Sequence, residues 1–116
     1  MHQHHGINYL EIPCSQLEDS KTFFNQVFGW RFTDYGPDYS CFLDTGIDGG
    51  FFRASQTFDC QQGCPLIVLY SADLNASQNA VRGAGGQIVK AVFSFPGGRR
   101  FHFTDPSGNE YAVWSE

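Results

Sequence analysis

At 116 residues and 13.0 kDa the chain has room for one compact domain, or for two small modules sharing a core. A 41% hydrophobic content with twelve Phe excludes a disordered chain, and a net charge of −5 without any run of Lys or Arg argues against nucleic acid or anionic lipid as partner. No apolar stretch reaches the ~20 residues that a membrane-crossing helix needs, and no secretory leader precedes the first strand, so a cytoplasmic protein is expected. In chain order, an imidazole-rich opening (Met1-His2-Gln3-His4-His5-Gly6) leads to a first strand, Ile7–Pro13. Leu10 and Ile12 share one face of it, Tyr9 and Glu11 the other. Ser15-Gln16-Leu17-Glu18 reads as a capping box, and Leu17, Phe24 and Val27 or Phe28 recur at helical spacing until Gly29. Three short strands follow, Trp30–Thr33, Tyr39–Leu43 and Gly49–Ala54, separated by Gly36-Pro37-Asp38 and Asp44-Thr45-Gly46.

After a polar stretch the order begins again: a strand over Pro65–Tyr70, a weaker helix over Ala72–Gly85, a strand over Gln87–Val92 and a terminal hairpin. That hairpin turns on Asp105-Pro106-Ser107-Gly108-Asn109, where Pro106 presets φ and Gly108 tolerates a positive one. Alternation puts Arg100, His102 and Thr104 on one face of its first strand, Phe101 and Phe103 on the other. Leu17 and Leu74 lie 57 residues apart, and the same offset pairs Ser20 with Ser77, Gly29 with Gly86 and Phe32 with Val89. The chain therefore reads as one domain, 1–116, built from two βαβββ modules, 6–58 and 64–116, joined by a linker at 59–63. Neither module could bury its sheet face alone. Four cysteines are expected to stay reduced and to act as small apolar residues. Cys60 and Cys64 offer half a metal site at most, since no second Cys/His pair stands at zinc-finger spacing downstream.

Three segments carry a family resemblance. They are Tyr9-Leu10-Glu11-Ile12-Pro13 leading through Leu17, Ser20, Phe23 and Phe24 to Gly29-Trp30; Gly49-Gly50-Phe51-Phe52; and Phe103-Thr104-Asp105-Pro106-Ser107-Gly108-Asn109. Together they resemble the glyoxalase/bleomycin-resistance/extradiol-dioxygenase (vicinal oxygen chelate) superfamily, and within it the small lactoylglutathione-lyase-related proteins. The resemblance implies an α+β fold in which duplicated βαβββ modules form a curved sheet around a cleft. It also implies a divalent ion, held in the metal-using members by His or Glu from four strands. Carried over by position, those ligands fall on Tyr9 (or Asn8 if the strand bulges), Leu66, Ala112 and the stretch Gly49–Phe52. Leu66 and Ala112 have no donor atom, and a divalent ion needs several N, O or S ligands at ~2.0–2.6 Å. No stoichiometric metal and no cofactor is expected in the chain.

What remains on the expected cleft face is Tyr9, Glu11, Tyr70, Arg100, His102 and Trp114. Glu11 could act as a general base with His102 as its partner, since histidine is the side chain whose ordinary titration spans neutrality. In the fosfomycin-resistance relatives a substrate-contacting Tyr occupies the position matching His102. Tyr9, Tyr70 and Trp114 would supply aromatic walls, and Arg100 a clamp for an anionic group. The favoured function is a binder of a small organic molecule. Two alternatives stand beside it: a glyoxalase-related lyase or other enzyme working through Glu11 and His102 or through a shifted metal site, and a scaffold with no ligand. A homodimer is expected, because uncovered sheet edges and faces are usually paired or hidden.

Overall fold

Two copies of one strand–helix–strand–strand–strand unit make up the computed structural model, which describes residues 2–116. The first contains β1 (Tyr9–Cys14), α1 (Leu17–Phe28), β2 (Arg31–Asp34), β3 (Tyr39–Leu43) and β4 (Asp48–Arg53). A 3-10 turn at Cys60–Gln62 lies in the connection. The second copy contains β5 (Ile67–Tyr70), α2 (Leu74–Gly83), β6 (Gln87–Phe95), β7 (Gly98–Thr104) and β8 (Glu110–Ser115). Each forms its own four-stranded sheet, ordered β1-β4-β3-β2 and β5-β8-β7-β6, with the first pair parallel and the others antiparallel. The fold is thus α+β with duplicated βαβββ modules.

Both helices lie between the sheets and share one core. Phe24 of α1 stacks on Trp30, meets Phe51 of the first sheet at 5.6 Å between ring centroids, and meets Tyr111 of the second at 5.0 Å. Phe23 reaches Phe103 at 5.7 Å. Ile12, Leu17, Phe42, Leu74, Val81, Phe101 and Val113 complete this buried cluster. An α1 helix alone would be marginal in water, so burial of its aromatic face across both sheets is what holds it. With the inner faces committed to the core, Tyr9, Glu11, His102, Ala112 and Trp114 occupy the outer faces. Glycine at 50 permits a close approach there: a Cβ would collide with the Tyr39 hydroxyl, which crosses β4 to meet the Tyr9 hydroxyl at 2.5 Å.

The Asp105–Asn109 turn reaches back across the molecule. Its Oδ1 accepts the Ser107 and Asn109 amides at 3.1 and 3.0 Å, which closes the turn, and Gly108 takes the positive φ of 84°. Its Oδ2 accepts the Ser20 hydroxyl of α1 at 2.8 Å, and Asn109 Nδ2 donates to Pro13 O of β1 at 2.7 Å. Burial pushes the Asp105 carboxyl up to about 6, against the opposing pull of these hydrogen bonds.

Two local expectations are corrected. Ser15 and Glu18 do not form a capping box: Gln16 is the N-cap residue and makes no side-chain cap. The Ser15 hydroxyl points to Ser107 O at 3.4 Å, Glu18 pairs with Lys21, and Ser107 Oγ accepts the Gln16 amide instead. The second module, and not the helix's own sequence, serves that terminus. The pairing of Gly29 with Gly86 also slips. Gly29 does end α1 in the left-handed region at φ 74°, but in α2 that role falls to Gly85 at φ 94°. Gly86 sits against Phe23 and Val81, where a Cβ would approach each to 2.8 Å.

Candidate functional site

On the outer face of the second sheet the linker folds over β7 and β8 and leaves a hollow of about 570 Å³. Cys60, Leu66, Lys90, Arg100, His102 and Glu110 are among the side chains lining it. Period-2 alternation places the last three: Arg100 stands opposite Trp114, His102 opposite Ala112 and Thr104 opposite Glu110 in the β7–β8 ladder. Glu110 is therefore on the His102 face, one pair along. The linker supplies the rest. The Cys60 amide donates to Glu110 Oε1 at 3.0 Å, and the Glu110 amide donates to Phe58 O at 3.0 Å.

His102 is buried, with 3% of its surface exposed, although it lies on the outer face. Its Nδ1 lies 2.7 Å from Glu110 Oε2 and 3.9 Å from Cys60 Sγ, while its Nε2 has no protein partner. Partial burial raises the Glu110 carboxyl, but the Cys60 amide and the His102 ring outweigh it and hold the group below its ordinary value. Burial and then the Glu110 carboxylate push the Cys60 thiol up, with Lys90 and Arg100 pulling the other way. Cys14 and Cys41 are buried apolar residues as expected, and burial followed by Asp105 pushes the Cys14 thiol up to about 12. Cys60 is different. It is exposed and sits within reach of an imidazole and a carboxylate.

Arg100 lies over Phe93 and Phe95, with its guanidinium carbon 5.2 and 5.4 Å from the ring centroids, and its buried Nε has no partner. It also borders a smaller hollow of about 400 Å³, walled by Val68, Phe95, Pro96 and Trp114. Tyr70 packs edge-on against Trp114 at 5.1 Å and donates its hydroxyl to Glu116. A third hollow, about 560 Å³, opens where the modules meet and is bordered by Leu10, Trp30, Ile67 and Tyr70.

The structure brings Arg100 and His102 together, and places Trp114 one pocket away across Arg100. Glu11 and Tyr9 stand on the other sheet beside Tyr39, and neither lines the hollow around His102. Burial, followed by the neighbouring Tyr9 and Glu11 groups, pushes the Tyr39 hydroxyl above its ordinary value. At the positions where the resemblance implies metal ligands, Leu66 and Ala112 present only carbon and Tyr9 is 41% exposed beside Tyr39. Those residues do not fit a divalent ion. Sequence reasoning passed over Glu110, which the alternation through Ala112 and Trp114 already put on the right face. It also set Cys60 aside, and no local signal could have led to a linker residue folding onto β7.

This duplicated βαβββ fold, with two four-stranded sheets over one helical core, defines the chain as an α+β protein. The model of the Glyoxalase/Bleomycin resistance protein/Dioxygenase superfamily matches residues 6–113, and the chain belongs to that superfamily. A curated relative, the anthracycline biosynthesis protein DauV of Streptomyces sp. (strain C5), is 30% identical over 124 residues. That match covers 91% of this chain and 45% of the relative, so the chain spans less than half of DauV. Among solved structures, a glyoxalase-related enzyme from Fulvimarina pelagi superposes with a TM-score of 0.80 at 16% identity, covering 97% of this chain and 88% of that one. TioX from Micromonospora sp. ML1 superposes at 0.72 with 18% identity, over 95% and 98% of the two chains. At these identities the two structures establish the shared fold.

Proposed function

We infer that the chain binds a small organic molecule on the outer face of its second sheet, without an ion at the superfamily's usual positions. The observation that carries this reading is the 570 Å³ hollow. Its size suits a ligand of ordinary metabolite dimensions, and its lining includes the polar residues His102 and Arg100. Phe93, Phe95 and Trp114 add aromatic surface beside them. Similarity to an anthracycline biosynthesis protein supports polycyclic aromatic compounds as the ligand class to try first. Val68, Tyr70 and Val89 leave much of the outer face apolar and exposed, which suits a second copy of the chain closing over the hollow.

A catalytic reading is favoured by one specific observation, the 2.7 Å contact between His102 and Glu110. It makes those two, and not Glu11, the pair placed to move a proton. Binding is tested by calorimetry with anthracyclines and simpler anthraquinones on wild type, His102→Ala and Trp114→Ala, with light scattering on the same samples. For a polycyclic ligand that reaches past Arg100 into the adjoining 400 Å³ hollow, loss of the Trp114 ring should cost more than ~1 kcal/mol of binding. Equal affinity in all three proteins would place the ligand elsewhere and overturn the reading.

A further inference from the structure

Three electron-pair donors from three separate segments converge beside the hollow. Cys60 Sγ of the linker, His102 Nδ1 of β7 and a carboxylate oxygen of Glu110 of β8 all lie within 4.8 Å of one another. Two of them approach the same ring nitrogen, Glu110 Oε2 at 2.7 Å and Cys60 Sγ at 3.9 Å. Nδ1 carries at most one proton and can donate to one partner at a time. A cation among the three would engage all of them. Zinc–ligand bonds of ~2.0–2.3 Å in tetrahedral array put ligand atoms ~3.3–3.6 Å apart. The 2.7 and 3.9 Å spacings bracket that range and the third lies within 4.8 Å, so closing the set takes side-chain adjustments of about an ångström.

We propose that Cys60, His102 and Glu110 form a binding site for a borderline divalent cation of the zinc class, with a fourth coordination position open to the hollow. A mixed sulfur, nitrogen and oxygen set suits zinc and argues against magnesium or calcium, which take oxygen ligands. The site is preorganised: the Cys60 amide on Glu110 Oε1 and the Glu110 amide on Phe58 O fix the linker against β8 with no ion needed. Coordination at Nδ1 exchanges its hydrogen bond to Glu110 Oε2 for bonds from both groups to the ion, and leaves the ring proton on Nε2, which has no protein partner. The Cys60 thiol proton is released to solvent as the thiolate binds. Three protein ligands with one open position leave room for an exchangeable water or a ligand oxygen, and Lys90 and Arg100 at the rim favour an anionic one. These residues are not those to which the superfamily's ligand positions map. His102 stands opposite the vacant Ala112 and Glu110 lies two residues before it, so the donor set is shifted along the same face.

The test uses metal alone and is independent of the organic ligand. The full chain carrying His2→Ala, His4→Ala and His5→Ala, which removes the competing N-terminal imidazoles, is titrated with Co²⁺ by absorption and with Zn²⁺ by chelator competition. One equivalent per chain is expected, with a thiolate-to-cobalt charge-transfer band. Cys60→Ser should abolish the band and weaken Zn²⁺ at least ~10-fold, the loss already typical of groups that merely touch a ligand. Glu110→Gln and His102→Ala should weaken it similarly, while Cys64→Ser changes nothing. Cys60 is exposed, so its variant decides the matter even if His102→Ala misfolds. Substoichiometric binding, or a band and affinity that survive Cys60→Ser, would overturn the proposal.

Discussion

Asn109→Ala should unfasten the two modules from each other. The side chain is fully buried and makes two bonds that nothing else can replace. Its Nδ2 donates to Pro13 O of β1 at 2.7 Å, and its Oδ1 accepts the Phe58 amide at 3.1 Å. Truncation leaves a carbonyl in one module and an amide in the linker without partners, while the backbone bonds between Asp105 and Asn109 remain. Each orphaned group costs ~1–3 kcal/mol, so the loss from the two should be about 2–6 kcal/mol. For a chain of this length that lowers Tm by roughly 8–24 °C, at ~4 °C per kcal/mol. Urea unfolding followed by fluorescence can locate the effect, because the two tryptophans fall one in each module, Trp30 and Trp114. Single-tryptophan versions should give coincident midpoints, both displaced by the mutation with little change in slope. A loss below ~1 kcal/mol would show that water replaces both partners, and the reasoning would fail. Midpoints that separate in the wild-type background would refute the single shared core.

Gly86→Ala should destabilise by about 1–3 kcal/mol in urea melts, because the added methyl would meet Phe23 and Val81 at 2.8 Å in a packed core; a neutral result would mean α2 shifts freely. Asp105 sets a pH dependence. Its folded value of about 6 stands above the ordinary 3.8, so the folded state favours the protonated acid and this group's contribution is greatest below pH ~4. It is lost as pH rises from about 4 through 6, a change of about 3 kcal/mol in total. The stability difference between wild type and Asp105→Asn should therefore fall with rising pH over that window, and a rise would contradict the assignment.

Local features were legible in the sequence because their causes are local. The Asp105–Asn109 turn follows from Pro106, Gly108 and the Asx-type side chains. The 57-residue offset paired equivalent points of the two modules, since Leu17 and Leu74 are the first residues of α1 and α2, although the sequence pattern alone starts the second helix at Ala72. Alternation put His102 and Arg100 on one face. What the sequence hid depends on contacts between distant segments. The Ser15-to-Glu18 pattern is a sound local cap, yet Ser107, 91 residues beyond Gln16, takes the position instead. Glu11 and His102 each face outward from their sheet, but facing does not say which sheet backs onto which. Cys60 carried no periodic signal because the linker has none.

A duplicated gene begins with two equivalent outer faces, and nothing internal to the repeat distinguishes them. Here the distinction comes from the segment that belongs to neither copy: the linker lies across the second sheet and lends it Cys60 and the Phe58–Cys60 backbone. Insertions, deletions and substitutions there leave the shared core of Phe24, Phe51, Phe103 and Tyr111 untouched. Chemistry at the His102 face can therefore be acquired or discarded by drift in a handful of connecting residues, at little risk to folding.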